Sequence, residues 1–288
     1  MKLNLLAQKM IGKGRNSRPS GVKQQSMQYF IFFLCLIFQL FACKQVEVQK
    51  TVGPLVKRHV HLLGNTPITI TTSTYGRLSN VVFIRLHDNE ETAEKAALQI
   101  LEERGGTVIS IENKGNRIIG FLVREKNYVF DPNRMFTKKA IRESMQRLGS
   151  YHPAAAKEVR EFSAAILKLI PKNAVTIALH NNADEGYSIL SYNTDPILRQ
   201  SAKAVHRNKT LDTDNFFITT NATLFHMLKK KNYNVVLQNN ATAIDDGSLS
   251  VYMGKINSAY VNVEAQHGHL QEQASMLKGL LQQIDTLN

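Results

Sequence analysis

The chain has 288 residues, 43% hydrophobic and 20% charged, ordinary proportions for a globular protein with enough chain for one large core. Its net charge of +13 invites a nucleic-acid partner, but six of the cations (Lys2, Lys9, Lys13, Arg15, Arg18 and Lys23) precede residue 43 with no acid among them, leaving about +7 scattered over the rest. No basic patch with interleaved aromatics occurs, which excludes the nucleic-acid class.

Residues 29–42, YFIFFLCLIFQLFA, form an apolar run behind the basic lead. The run is short for a membrane span and suits the core of a secretory signal. It closes on Leu40-Phe41-Ala42-Cys43, which resembles the lipobox of a bacterial lipoprotein, with Phe41 where a small residue is usual. The expectation is a lipoprotein-type signal segment over 1–43, a tether over 44–65, where periodicity is slight, and a single domain over 66–288. Cys43 would carry the lipid anchor, placing the domain at the bacterial cell envelope, outside the cytoplasm. Cys35 leaves with the signal, so no disulfide supports the domain and any metal is held by nitrogen and oxygen.

The domain is predicted to open with a strand over 67–72 (PITITT). Val81-Val82-Phe83-Ile84 then reads as a strand buried on both faces, leading through Arg85-Leu86 to His87. Ala93, Ala96, Ala97, Ile100 and Leu101 mark an amphipathic helix ended by Gly105-Gly106. Residues 107–111 and 117–123 read as two strands joined by a hairpin-type turn, and 128–130 as a short strand delivering Asp131-Pro132-Asn133-Arg134. Two helices follow, one with Ile141, Met145 and Leu148 on a face, the other with Val159, Phe162, Ile166 and Leu169. Residues 174–179 (AVTIAL) form another buried strand, ending in His180. Beyond it the pattern predicts strands over 187–192, 216–219, 234–237, 249–253 and 259–264, and helices over 196–205 and 222–230. Leu270, Ala274, Leu277, Leu281 and Ile284 mark a closing helix. Strands alternating with helices define an α/β fold with a mixed, largely parallel central sheet flanked by helices.

The chemistry gathers where the buried strands end, the place where open α/β sheets keep their ligand crevice. His87 and Glu90, three apart, can give one metal an imidazole nitrogen and a carboxylate, and His180 completes the three protein ligands of a catalytic zinc. His267 and His269 compete for the third place. Asn133-Arg134 offers a directional donor and a planar fork suited to a carboxylate or a developing oxyanion. Glu264, ending the strand Tyr260-Val261-Asn262-Val263, can accept a proton from an activated water.

His87-Asp88-Asn89-Glu90, Asp131-Pro132-Asn133-Arg134-Met135-Phe136, Leu179-His180-Asn181-Asn182 and Val263-Glu264, in this order, resemble the succinylglutamate desuccinylase/aspartoacylase branch of the zinc carboxypeptidase superfamily. The resemblance spans roughly residues 78–285. It implies one zinc ion held by His87, Glu90 and His180, with Asn133 and Arg134 binding substrate and Arg134 engaging a carboxylate. Glu264 becomes the general base, and the substrate a peptide or acyl-amino acid. Asp88 departs from the branch's usual Gly and Pro132 from its Leu. The branch's further Arg upstream of Asn-Arg has no clean match, Arg124 and Lys126 both lying near that place. Location outside the cytoplasm favours peptides, including peptidoglycan stem peptides. The alternative is a catalytically silent lipoprotein of the same fold that binds peptides or glycans.

Overall fold

A computed structural model describes residues 53–77, 79–183 and 186–287. The expected signal segment and residues 44–52 lie outside the described residues. The first strand is β1 (Leu55–Leu63), paired antiparallel along its whole length with β2 (Thr66–Tyr75). This corrects the tether expected over 44–65, since 55–65 belongs to the domain. The strand escaped notice because it is an edge exposed on both faces except at Leu63 and the half-buried His61, so backbone pairing more than one-sided burial holds it. Gly64 makes its turn at φ +58, where a Cβ would run into the Leu122 carbonyl.

Next come β3 (Val81–Arg85), α1 (Glu91–Arg104) and β4 (Gly106–Glu112). β5 (Ile119–Val123) and β6 (Lys126–Phe130) form a separate two-stranded sheet, so the hairpin expected between 107–111 and 117–123 is absent. A 3-10 turn at Pro132–Arg134 leads into α2 (Lys138–Leu148) and α3 (Pro153–Leu169). β7 (Val175–Asn182) is followed by short helices α4 (Ser191–Thr194) and α5 (Pro196–Ser201) and by β8 (Ala202–His206). Turns and a helix thus replace the strand expected over 187–192, and the helix expected over 196–205 stops at Ser201. β9 (Phe216–Thr219), α6 (Ala222–Lys230) and β10 (Val235–Gln238) agree with expectation. α7 (Leu249–Lys255) is a helix where a strand was expected, started by Ser248, whose hydroxyl accepts the Val251 N–H. β11 (Tyr260–Gln266) and α8 (Leu270–Asp285) complete the domain.

The nine main strands run in the order β1-β2-β4-β3-β7-β11-β9-β10-β8. β4, β3, β7 and β11 are mutually parallel, with antiparallel pairs at both flanks. One face packs α2 and α3 through Met145, Phe162 and Ile166, the other packs α1, α6 and α8 through Ala97, Leu228 and Leu277. Covered on both sides, the central strands carry apolar residues on both faces, as the run Val81-Val82-Phe83-Ile84 shows. No helix among the described residues is long and apolar enough to cross a membrane.

Candidate metal centre

β3 and β7 are parallel neighbours, with Ile84 opposite Ala178, so both chains leave the sheet at the same end. His87 follows β3 by two residues, His180 lies near the end of β7, and Glu90 sits where the chain turns into α1. His87, Glu90 and His180 are all buried, and one ligand atom from each lies within 4.8 Å of the others. Nδ1 of His87 is 3.0 Å from Glu90 Oε1, and Nδ1 of His180 is 3.0 Å from Glu90 Oε2. Ligand atoms around one tetrahedral zinc stand roughly 3.3 Å apart, so the group is already near the spacing an ion would impose.

Nε2 of His87 is 2.7 Å from Asp131 Oδ1; in the neutral tautomer that donates there, Nδ1 keeps a lone pair. That lone pair faces a carboxylate oxygen, acceptor against acceptor, a contact that only a proton or a cation between them resolves. The donor set therefore fits a metal ion. Asp131 also accepts the Asn133 N–H at 2.8 Å, so one buried carboxylate fixes both the imidazole and the following turn. Burial opposes its charge, but the bond from His87 outweighs this and holds the carboxyl down at about 2. Burial likewise opposes charge on Glu90, and the two histidines when protonated, His180 foremost, overcome it and depress its pKa. His180, fully enclosed, loses charge to burial but is raised on balance by Glu90 and Glu264.

Glu264 lies opposite His180 in the β11–β7 register, 6% exposed. Burial pushes its carboxyl above the usual range, with Glu90 adding to the effect and His180 opposing it. Glu90, His180, Glu264, Asn133 and Arg134 line one cavity of about 790 Å³. Asn133 Oδ1 accepts the Leu249 N–H at 3.0 Å, and Arg134 Nη1 lies 3.4 Å from Asp246 Oδ2.

His267 is exposed and, like His269, stands outside both the ligand group and the cavity lining among the described residues. Several contributors were missed in the sequence. Asp131 was noted only as part of a motif, although its place one residue before Pro132 marks it as a cap. Arg117 lines the cavity and donates from Nη1 to Glu90 Oε1 at 2.8 Å, whereas Arg124 lies at positive φ in the β5–β6 turn. Tyr187 and Tyr192 also line it, their hydroxyls 2.5 Å apart, where the expectation of a strand hid them.

No protein-family model matches the sequence, and no curated protein does. Among solved structures, the chain is similar to an aspartoacylase family protein from Mesorhizobium loti, at 12% identity over 82% of this chain and 68% of that one, with a TM-score of 0.40. It is also similar to bovine thrombin-activatable fibrinolysis inhibitor, solved in complex with tick carboxypeptidase inhibitor, at 9% identity over 90% and 95% of the two chains, with a TM-score of 0.40. Scores this low leave the site's own residues to carry the chemistry.

Proposed function

We propose that the protein is a zinc-dependent hydrolase of amide bonds, a carboxypeptidase or an amidase/deacylase. The observation that carries this is the convergence of two buried imidazoles and a carboxylate at the wall of a cavity that Glu90, His180 and a second buried carboxylate, Glu264, line. A zinc ion held by His87, Glu90 and His180 would supply a water acidic enough to ionise near neutral pH and a Lewis acid for the scissile carbonyl. Glu264 takes the proton of the attacking water and returns it to the leaving amine, a double duty suited to a carboxyl raised by burial. Asp131 keeps the His87 imidazole in one tautomer and orientation. Arg117, beside Glu90, faces the oxygen that gains charge, and Asn133 with Arg134 binds a substrate carboxylate.

For the substrate we propose peptides at the bacterial cell envelope, peptidoglycan stem peptides among them, with attachment through a lipid on Cys43. This rests on the basic lead, the apolar run 29–42 and Leu-Phe-Ala-Cys. Cys43→Ser should release the protein from the membrane fraction, and unchanged attachment would refute the anchor. The central test is bound zinc in the purified protein, with its hydrolysis of peptides, acyl-amino acids and muropeptides. About one zinc per chain is expected, lost in His87→Ala and His180→Ala. Zinc without hydrolysis of any of these probes would favour the silent binder of the same fold.

A further inference from the structure

Asp88 stands between two proposed ligands, yet its carboxylate serves the loop beyond β4. Oδ1 accepts Nη1 of Arg85 at 2.5 Å, while Oδ2 accepts the backbone N–H groups of Asn113 at 2.6 Å and Gly115 at 2.8 Å. Arg85 is itself 4% exposed. Its Nε lies 3.2 Å from Glu94 Oε1, out of line for a hydrogen bond, and Glu94 in turn accepts the Ser110 hydroxyl at 2.8 Å. A buried cation thus fixes one oxygen of Asp88, and the other oxygen fixes the loop.

That loop needs an external hold. Lys114 at φ +53 and Gly115 at φ +73 both lie in the left-handed region, which costs energy at the lysine. Its remaining bonds are local, Asn113 Nδ2 to the carbonyls of Asn116 at 3.0 Å and Ile118 at 2.9 Å. Two residues past Gly115 comes Arg117, reaching Glu90 Oε1 at 2.8 Å. The connection from β3 to the cavity rim therefore runs Arg85, Asp88, loop backbone, Arg117.

We propose that Asp88 is a positioning residue whose carboxylate clamps the 113–117 loop and so sets the Arg117 guanidinium against the ligand group to receive a bound oxyanion. Charge-assisted bonds to two backbone amides and a guanidinium are the strong kind, and they hold a geometry that a neutral residue would not. A glycine, usual here in the family the motifs resemble, would offer no such clamp. What Arg117 binds rests on the zinc-hydrolase reading, whereas the clamp itself does not.

The test uses Asp88→Ala, Arg117→Ala and the double variant in two experiments. In metal-free protein, amide exchange at Asn113 and Gly115 should quicken in Asp88→Ala while amides of β3 and β7 keep wild-type rates. In zinc-loaded protein, the affinity for inorganic phosphate should fall by about tenfold or more in Arg117→Ala, the loss expected for one charged hydrogen bond. Asp88→Ala should lose a large part of that affinity at unchanged zinc content. The double variant should then bind phosphate no worse than Arg117→Ala, because the two residues act in series. Unchanged exchange at Asn113 and Gly115, unchanged phosphate affinity in Asp88→Ala, or additive losses in the double variant would each overturn the proposal. Zinc-loaded wild type that takes no phosphate would overturn the role of Arg117. A wild type that takes up no zinc would overturn the hydrolase reading, with the exchange result still deciding the clamp. If Asp88→Ala does not fold, Asp88→Asn, which keeps an acceptor and drops the charge, carries the same cycle.

Discussion

Glu264 is enclosed by the sheet, and its carboxylate accepts a hydrogen bond from a neutral amide, Asn262 Nδ2 at 3.0 Å. That leaves burial as the dominant influence, and burial favours the uncharged acid. A carboxyl raised on folding contributes stability below its unfolded pKa, near 4.5, and loses it as pH rises through the folded value. Above the unfolded value the buried carboxyl is therefore a cost to the metal-free fold. Metal-free Glu264→Gln should equal or exceed the wild type in stability at pH 7, with the gap closing toward pH 4, as denaturant titrations at the two values would reveal. Its kcat should fall by about 10² or more with zinc content unchanged. A variant less stable than wild type at pH 7 would mean that the charge is paired better than its neighbours suggest. Arg134→Ala should instead raise KM about tenfold for substrates with a free carboxylate and leave kcat nearly alone, the mark of a contact made equally before and during the reaction. A fall in kcat with KM constant would move Arg134 from binding to the reacting centre.

The elements that hold these residues were legible in proportion to how completely they are buried. β3, β7 and β11 are enclosed on both faces and stood out as apolar runs, interrupted only by Thr176 in β7 and Asn262 in β11, so His87, His180 and Glu264 could be placed at their ends. α1 and α8 showed helical periodicity for the same reason. Elements held by other forces were misread. Val251 and Tyr252 have a strand-like composition, yet the segment is a helix that opens at the Ser248 cap. Arg117 was hidden because its place in the site shows only in its contact to Glu90, 27 residues away in the chain, and spacing does not encode that. β1 was missed for want of a buried face, yet it closes over the core at Leu63, and the turn beyond it donates Gly64 N–H to Glu158 Oε2 at 3.1 Å. A chain spanning 66–288 should therefore be less stable than one spanning 53–288 by about 2–5 kcal/mol, the range for removing one buried leucine, with lost strand pairing adding to it. Equal denaturation midpoints for the two chains would make β1 an ornament on the sheet rather than part of it.

At the scale of the molecule, the proposed ligands tie separate parts of the fold together. His87 and Glu90 belong to the β3–α1 turn, His180 to β7, and Asp131 links His87 to the turn that precedes α2. An ion held there would bridge chain segments about 90 residues apart in sequence, as the His180–Glu90 contact already does. The unfolded chain has no such preformed group, so metal binding adds directly to folding free energy. With free zinc 1,000-fold above its Kd, the gain is about 4 kcal/mol. For a domain of this size each kcal/mol moves Tm by about 2–4 °C, so zinc should raise Tm by roughly 8–16 °C, and a chelator should reverse it. The pattern across variants is more telling than the size. His87→Ala and His180→Ala should abolish the shift, because two ligands remaining in a buried site cannot replace the third. Glu264→Gln should keep it, since that carboxylate stands outside the ligand group and serves the water in the proposed mechanism. His267→Ala and His269→Ala should keep it as well, because both imidazoles stand outside the ligand group. Loss of the shift in His267→Ala or His269→Ala, with His180→Ala unaffected, would relocate the metal to the β11–α8 turn and leave His180 as a buried strand-end residue.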